Sequence, residues 1–146
     1  MMSHVDGQIV LRDRIVSGRV SFDSHIRQIE PTSSTDNLYI LPDFIDGHVH
    51  GGGGVDTMDG VGAIETLSRF HLTHGTTTIL PTTITAPWSD VMDAFQTIEE
   101  VSTRGVKDGP HIHGHIWKGP FVSPHKLGAQ PPFMIEAPSF PIFWRT

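Results

Sequence analysis

Residues 44–59 read Phe44-Ile45-Asp46-Gly47-His48-Val49-His50-Gly51-Gly52-Gly53-Gly54-Val55-Asp56-Thr57-Met58-Asp59. The stretch opens as a short apolar strand. Successive side chains of a strand alternate faces, so His48 and His50 point the same way and both imidazoles can reach one ion. The four glycines behind them allow a backbone turn that most residues cannot make. Spacing alone also fits two strand-end histidines hydrogen-bonded to loop backbone, and fits it better. The glycine run lacks a following Lys-Ser/Thr and has no dinucleotide spacing, which excludes a nucleotide loop.

Composition narrows the classes around this stretch. The chain has 146 residues, enough for one ordinary domain. A complete (β/α)₈ barrel needs roughly 250. Charged residues make up 18% and the formal net charge is −6, so there is no basic footprint for nucleic acid. Cysteine is absent, which leaves no disulfide framework and no thiolate metal site. Any metal would be held by nitrogen and oxygen ligands. No segment approaches the ~20 apolar residues of a membrane helix. The N-terminus lacks the charged start and apolar run of a signal peptide. The expectation is a soluble cytoplasmic protein with neither a nucleic-acid nor a membrane partner. Of the ten histidines, His4, His25, His71 and His74 have no spacing that argues for a site.

Working outward, residues 5–30 are rich in valine and isoleucine, broken by Asp6-Gly7, Asp13, Ser17-Gly18 and Asp23. Ile9-Val10, Ile15-Val16, Val20 and Ile26 to Ile29 read as short strands joined by tight turns, a small antiparallel β-unit over residues 1–40. Residues 31–37 read as a polar linker. Leu38 to Pro42 then leads into the histidine strand. Residues 60–74 carry Val61, Ile64, Leu67, Phe70 and His71 at helical spacing, with Asp59 as N-cap and Gly75 as stop. Thr76 to Thr85 is β-branched and strand-like, and Pro81 ends its regular part. Residues 87–103 carry Trp88, Val91, Met92, Phe95 and Ile98 on a second helical face, with Pro87 in the first turn and Arg104-Gly105 closing it. His111 to Trp117 reads as the next strand. This alternation predicts an α/β fold with a parallel sheet over residues 41–146. After Gly119-Pro120 the periodicity is lost, and Phe140 to Thr146 is apolar without a recognisable cap.

Several ordered motifs together carry a family resemblance. Leu41-Pro42-Asp43-Phe44-Ile45-Asp46-Gly47-His48-Val49-His50-Gly51 to Gly54 resembles the start of the barrel in amidohydrolase-superfamily enzymes. The segments His74-Gly75-Thr76-Thr77-Thr78, Leu80-Pro81-Thr82-Thr83-Ile84-Thr85, Gly119-Pro120-Phe121-Val122-Ser123-Pro124 and Gly128-Ala129-Gln130-Pro131 follow in order. They are most similar to the N-acetylglucosamine-6-phosphate deacetylase family, up to about Pro132. The resemblance implies a truncated TIM-barrel portion preceded by the small β-unit, which would form part of a β-sandwich built from both chain ends. It implies a divalent metal ion, zinc or similar, which polarises an amide carbonyl and activates water. It also implies an amino-sugar phosphate as small-molecule partner, and it allows a homo-oligomer. His48 and His50 match a first-strand metal pair. Ala129 matches a position lining the sugar site, with Gln130 as a candidate neighbour.

Two departures from the family pattern shape the functional expectation. The family's third strand ends in His-Leu-Glu-Gly-Pro-Phe, whose glutamate is a metal ligand, whereas here Ile116-Trp117-Lys118-Gly119-Pro120-Phe121 places Lys118 there. An ammonium has donors only and cannot bind a cation. Carbamylation of Lys118, or substitution by His113 or His115, would restore a ligand. The family's remaining metal histidines, catalytic aspartate and phosphate-binding residues lie beyond the third strand. Asp46, Asp56 and Asp59 read as loop and cap residues, and the His111-Xaa-His113-Xaa-His115 alternation as a solvent-facing strand side. The expectation is N-acetylglucosamine-6-phosphate deacetylation at family level, with this chain by itself inactive and marginally stable. The alternatives are the N-acetylgalactosamine-6-phosphate reaction, another amidohydrolase chemistry, or a non-catalytic remnant acting through protein contacts.

Overall fold

Valine and isoleucine spaced along residues 3–31 form three consecutive antiparallel strands in the computed structural model, which describes residues 1–33 and 37–135. They are β1 (Ser3–Val10), β2 (Ile15–Phe22) and β3 (Ile26–Pro31), longer than the short apolar runs that signal them. Cross-strand partners Asp6 and Arg19 form a bidentate ion pair with both N–O distances at 2.7 Å. Strand β4 (Tyr39–Ile40) adds parallel to β1, giving the order β3-β2-β1-β4. This corrects the reading of Leu38 to Pro42 as a lead-in to the histidine strand. The Gln8 N–H donates to the Leu38 carbonyl at 2.7 Å, so the segment satisfies its backbone in the first sheet instead. The chain divides into two units, Met1–Asp43 and Phe44–Thr146. Residues 34–36 of the expected linker, and the apolar run Phe140 to Thr146, lie outside the described residues.

The second unit alternates strand and helix. Strand β5 (Phe44–Val49) is followed by a hairpin of β6 (Gly51–Gly52) and β7 (Val55–Asp56). Its two-residue loop, Gly53-Gly54, has φ of 64° and 86°, the positive values that a type I′ turn demands at both positions. A 3-10 turn (Thr57–Asp59) leads to α1 (Val61–Thr73), then β8 (Thr76–Pro81), α2 (Trp88–Arg104), β9 (His111–Ile112) and a 3-10 turn at Pro132–Met134. Strands β5, β8 and β9 form one parallel sheet in the order β5-β8-β9. The fold of this unit is α/β, with α1 and α2 as the crossovers that parallel strands require.

Three local expectations change. Asp59 does not cap α1; Gly60 does, at φ 91°. Asp56 and Asp59 instead form a capping box on the preceding 3-10 turn, where the Met58 N–H donates to Asp56 Oδ1 and the Asp56 N–H to Asp59 Oδ2. The third strand covers only His111–Ile112, with one further parallel bridge between Ile116 and Thr82. His115 leaves the alternation and stacks on Phe95 of α2, ring centroids 4.2 Å apart. His71, which carried no signal, ties α1 to the hairpin, because its Nε2–H donates to the Gly51 carbonyl at 3.1 Å.

The core lies between the sheet and the two helices: Val49, Ile79 and Ile112 from the strands meet Ile64, Leu67, Ile98 and Val101. Ile79 of the central strand is completely buried. Ile79→Ala is expected to destabilise this unit by about 2–5 kcal/mol. Urea unfolding followed by tryptophan fluorescence measures it, because all three tryptophans lie after residue 43.

Candidate functional site

The C-terminal end of β5 is held from both sides. The Thr82 N–H donates to the Val49 carbonyl at 2.7 Å, and the Thr57 hydroxyl donates to the same oxygen at 3.1 Å. The Thr57 N–H donates to the His50 carbonyl at 2.7 Å. Before the pair, the His48 N–H donates to Asp46 Oδ1 at 3.1 Å. With the backbone so fixed, the two imidazoles converge: His48 Nε2 and His50 Nε2 are 3.1 Å apart, ring planes inclined at 66°.

Hydrogen bonding assigns the protons. His50 Nδ1 lies 3.1 Å from the Thr82 carbonyl, which only accepts, so Nδ1 carries a proton. In the neutral ring this leaves Nε2 with the lone pair. The pairing with His48 then requires His48 Nε2 to donate. Lys118 Nζ, a donor only, sits 3.2 Å from the same His50 Nε2. Lys118 is anchored through its backbone: its N–H donates to Thr83 Oγ1 at 3.1 Å, and the Thr83 hydroxyl donates back to its carbonyl at 3.3 Å. Partial burial lowers the His50 pKa from its ordinary 6.5, and the positive charges of Lys118 and His48 push it the same way. The bond to Thr82 and the Asp56 carboxylate oppose this and do not cancel it. His50 is thus held as a neutral acceptor beside an ammonium.

This geometry also tests whether a divalent ion fits. Two nitrogens 3.1 Å apart suit a shared ion at about 2.0–2.1 Å from each. The remaining requirements fail. Catalytic zinc sites usually take three protein ligands, and among the described residues no group of three His, Cys, Asp or Glu side chains is placed to hold a metal. The third side chain at the centre is Lys118. An ammonium and a divalent ion about 4 Å apart repel by roughly 8 kcal/mol at an effective dielectric constant of about 20. The centre as it stands does not fit the metal that the motif implies.

His113 and His115 do not supply the missing ligand. The His113 ring lies edge-on to His111 at 5.6 Å, and His115 is stacked on Phe95. Ala129 is exposed. Gln130 is buried, and its Oε1 accepts the Thr85 N–H at 2.8 Å. Thr82, Thr83 and Thr85, each essentially inaccessible to solvent, therefore hold His50, Lys118 and Gln130 in turn. Sequence reading took Thr82-Thr83 as strand formers. The available signal was their position directly after Pro81, where the regular strand ends and backbone groups become free for side chains.

A cleft of about 530 Å³ opens elsewhere in this unit, lined by Asp56, Asp59, Asp90 and Asp93 together with Thr85 and Met134. Among the described residues its lining holds no cation. Four carboxylates give it the wrong sign for a phosphorylated sugar.

No family model matches the chain. It is 36% identical over 115 residues to N-acetylgalactosamine-6-phosphate deacetylase of Escherichia coli O157:H7, which covers 75% of this chain and 30% of that protein. It is 34% identical over 136 residues to N-acetylglucosamine-6-phosphate deacetylase of Bacillus subtilis (strain 168), 88% of this chain and 34% of that protein. The chain therefore spans about a third of the length of these relatives. Among solved structures, N-acetylglucosamine-6-phosphate deacetylase of Pasteurella multocida superposes with a TM-score of 0.79 at 25% identity, covering 98% of this chain and 41% of that one. The Thermotoga maritima enzyme of the same name shares the fold, with a TM-score of 0.80 at 24% identity. The chain is thus similar, over most of its length, to part of the N-acetylglucosamine-6-phosphate deacetylases.

Two measurements probe the geometry. Because the folded pKa of His50 lies below 6.5, its contribution to stability is whole above the unfolded value and is lost as pH falls through the folded midpoint. Lys118→Met removes one of the charges that lower it, so the His50 midpoint is expected to rise, read by a ring-nitrogen NMR titration. Gln130→Ala leaves the buried Thr85 N–H without its acceptor and is expected to cost about 1–3 kcal/mol in urea unfolding.

Proposed function

We propose that this chain is part of an enzyme hydrolysing the acetamide of N-acetylglucosamine-6-phosphate to glucosamine-6-phosphate and acetate, in cytoplasmic amino-sugar breakdown. We further infer that the chain by itself does not catalyse that reaction. The three parallel strands with their two crossover helices are read as the opening of a (β/α)₈ barrel. The observation that carries the family-level reading is the convergence of His48 and His50 at the C-terminal end of β5, with Nε2 atoms 3.1 Å apart. Catalytic side chains of such barrels gather at the C-terminal ends of the strands. The names and coverage of the relatives support the substrate class.

The reaction adds water to the acetamide carbonyl and breaks the C–N bond; the amine leaves protonated and the acetyl group departs as acetate. It needs a base for the water and a group to stabilise the carbonyl oxygen. Neutral His50 has its one lone pair occupied by Lys118 and His48. Of the carboxylates near in sequence, Asp46 accepts the His48 N–H, and Asp56 and Asp59 are spent on each other's turn. Nothing in this set activates water, and no step through a metal follows from residues that do not hold one. Lys118 also favours a second reading, a non-catalytic module that retains the fold and acts through protein contacts.

An acetate-release assay on the purified chain, with N-acetylglucosamine-6-phosphate and N-acetylgalactosamine-6-phosphate as parallel substrates and with or without zinc, tests both statements. No release above the uncatalysed rate is expected from either. Chelator-sensitive release would overturn the inactivity and the non-catalytic reading together, and the preferred sugar would then fix the epimer. The substrate class has its own check in saturation-transfer NMR, where either phosphosugar, and not glucose-6-phosphate, is expected to contact the chain.

A further inference from the structure

We propose that Lys118 takes the place of a metal ion: its ammonium closes the His48–His50 pair as an internal cation, and the centre becomes a divalent-metal site only when that charge is removed. The inference stands apart from the substrate proposed above and concerns ion binding alone.

The geometry supports it at three points. The neutral His50 ring has a single lone pair, because Nδ1–H is committed to the Thr82 carbonyl. That lone pair, on Nε2, is where any ion at the pair would bind, and Lys118 Nζ donates to it from 3.2 Å. The His48 Nε2–H points at the same lone pair, so an ion binding there would have to displace both the ammonium and that N–H. The two Nε2 atoms are already 3.1 Å apart, so the imidazoles are held at a separation that suits metal ligands, and His48 has only to move its proton from Nε2 to Nδ1 to act as one.

Lys118 is also positioned rather than loosely swung in. Its N–H and carbonyl form a closed pair of hydrogen bonds with Thr83 Oγ1, and Thr83 is fully buried. The next residue along the threonine run, Thr82, holds His50 on the other side. The base of the lysine and the ring of the histidine are therefore fixed from adjacent residues of one segment. A glutamate at 118 inherits the same backbone anchor, and its carboxylate oxygens end one bond closer to Cα than the lysine nitrogen does. It would complete a two-histidine, one-carboxylate set of the kind that zinc accepts with an open position.

Equilibrium dialysis of the full chain against micromolar zinc, with bound metal counted by mass spectrometry, tests this. Wild type and a His48→Ala/His50→Ala double variant are expected to retain the same zinc, the background of the other histidines. Lys118→Glu is expected to gain one further equivalent, and adding His50→Ala to Lys118→Glu is expected to remove it. An equivalent retained by wild type and lost in the double-histidine variant overturns the proposal. So does wild-type uptake that appears only with bicarbonate, which would mean a lysine carbamate serving as ligand. A folded Lys118→Glu chain that gains nothing overturns it as well. If circular dichroism shows Lys118→Glu unfolded, wild-type ring-nitrogen NMR decides alone: unmoved His48 and His50 Nε2 shifts on adding zinc support the proposal, and a coordination shift of His50 Nε2 refutes it.

Discussion

The segment Thr82–Thr85 leaves the regular ladder of β8 after Pro81 and then runs through the buried interior of the second unit. That places a constraint on everything around it. Its backbone groups no longer have a full strand partner on either side, and buried N–H and C=O groups must be satisfied by something. The Thr82 N–H goes to the Val49 carbonyl and the Thr82 carbonyl to the His50 ring. The Thr83 N–H goes to the Ile116 carbonyl and its hydroxyl to the backbone of Lys118. The Thr85 N–H goes to Gln130. Satisfying this one stretch therefore assembles the chain's most chemically suggestive side chains. The cost of leaving any of these groups unpaired is of the order of 1–3 kcal/mol, enough to fix a ring orientation.

This explains which parts of the structure were legible in the sequence. The helices at 61–73 and 88–104 came from apolar spacing that burial confirms at Ile64, Leu67, Val91 and Ile98. The central parallel strand came from the β-branched run at Thr76 to Pro81, the first from the short apolar stretch ending in the histidines, and of the third, expected over His111 to Trp117, only His111–Ile112 is regular. The two imidazoles meet, as period-two alternation predicts, although His50 lies one residue past the end of β5. What failed was whatever depended on non-local pairing. Tyr39–Ile40 joined the first sheet because β1 offered a free edge at Gln8 and Ile9. His115 abandoned its strand for the face of Phe95, a contact that sequence spacing does not encode. The N-cap moved from Asp59 to Gly60 because Asp59 was already committed to the Asp56 N–H.

The candidate site residues show the same division. A motif names residue types and spacing, and so it located His48, His50 and Lys118 but not the bonds that define their protonation. Only the Thr82 carbonyl, contributed from 32 positions away, shows that His50 must donate from Nδ1 and accept at Nε2. Gln130 similarly looked like a sugar-site neighbour from its motif, yet its carbonyl oxygen is engaged in holding Thr85.

Charge at a single position then separates fold from chemistry. The backbone around residue 118 is fixed by Thr83 through main-chain groups, which are indifferent to the side chain that position carries. Lysine therefore enters with little demand on the fold, while the sign of the charge facing His50 is reversed relative to a carboxylate. A carboxylate there would attract a cation and raise the basicity of the imidazoles; the ammonium repels a cation and lowers the proton affinity of His50. The same two rings, at the same separation, face a positive charge here where a carboxylate would present a negative one. Similarity in fold to deacetylases thus extends over most of this chain, while the charge beside His50 is decided by one side chain that the fold does not constrain.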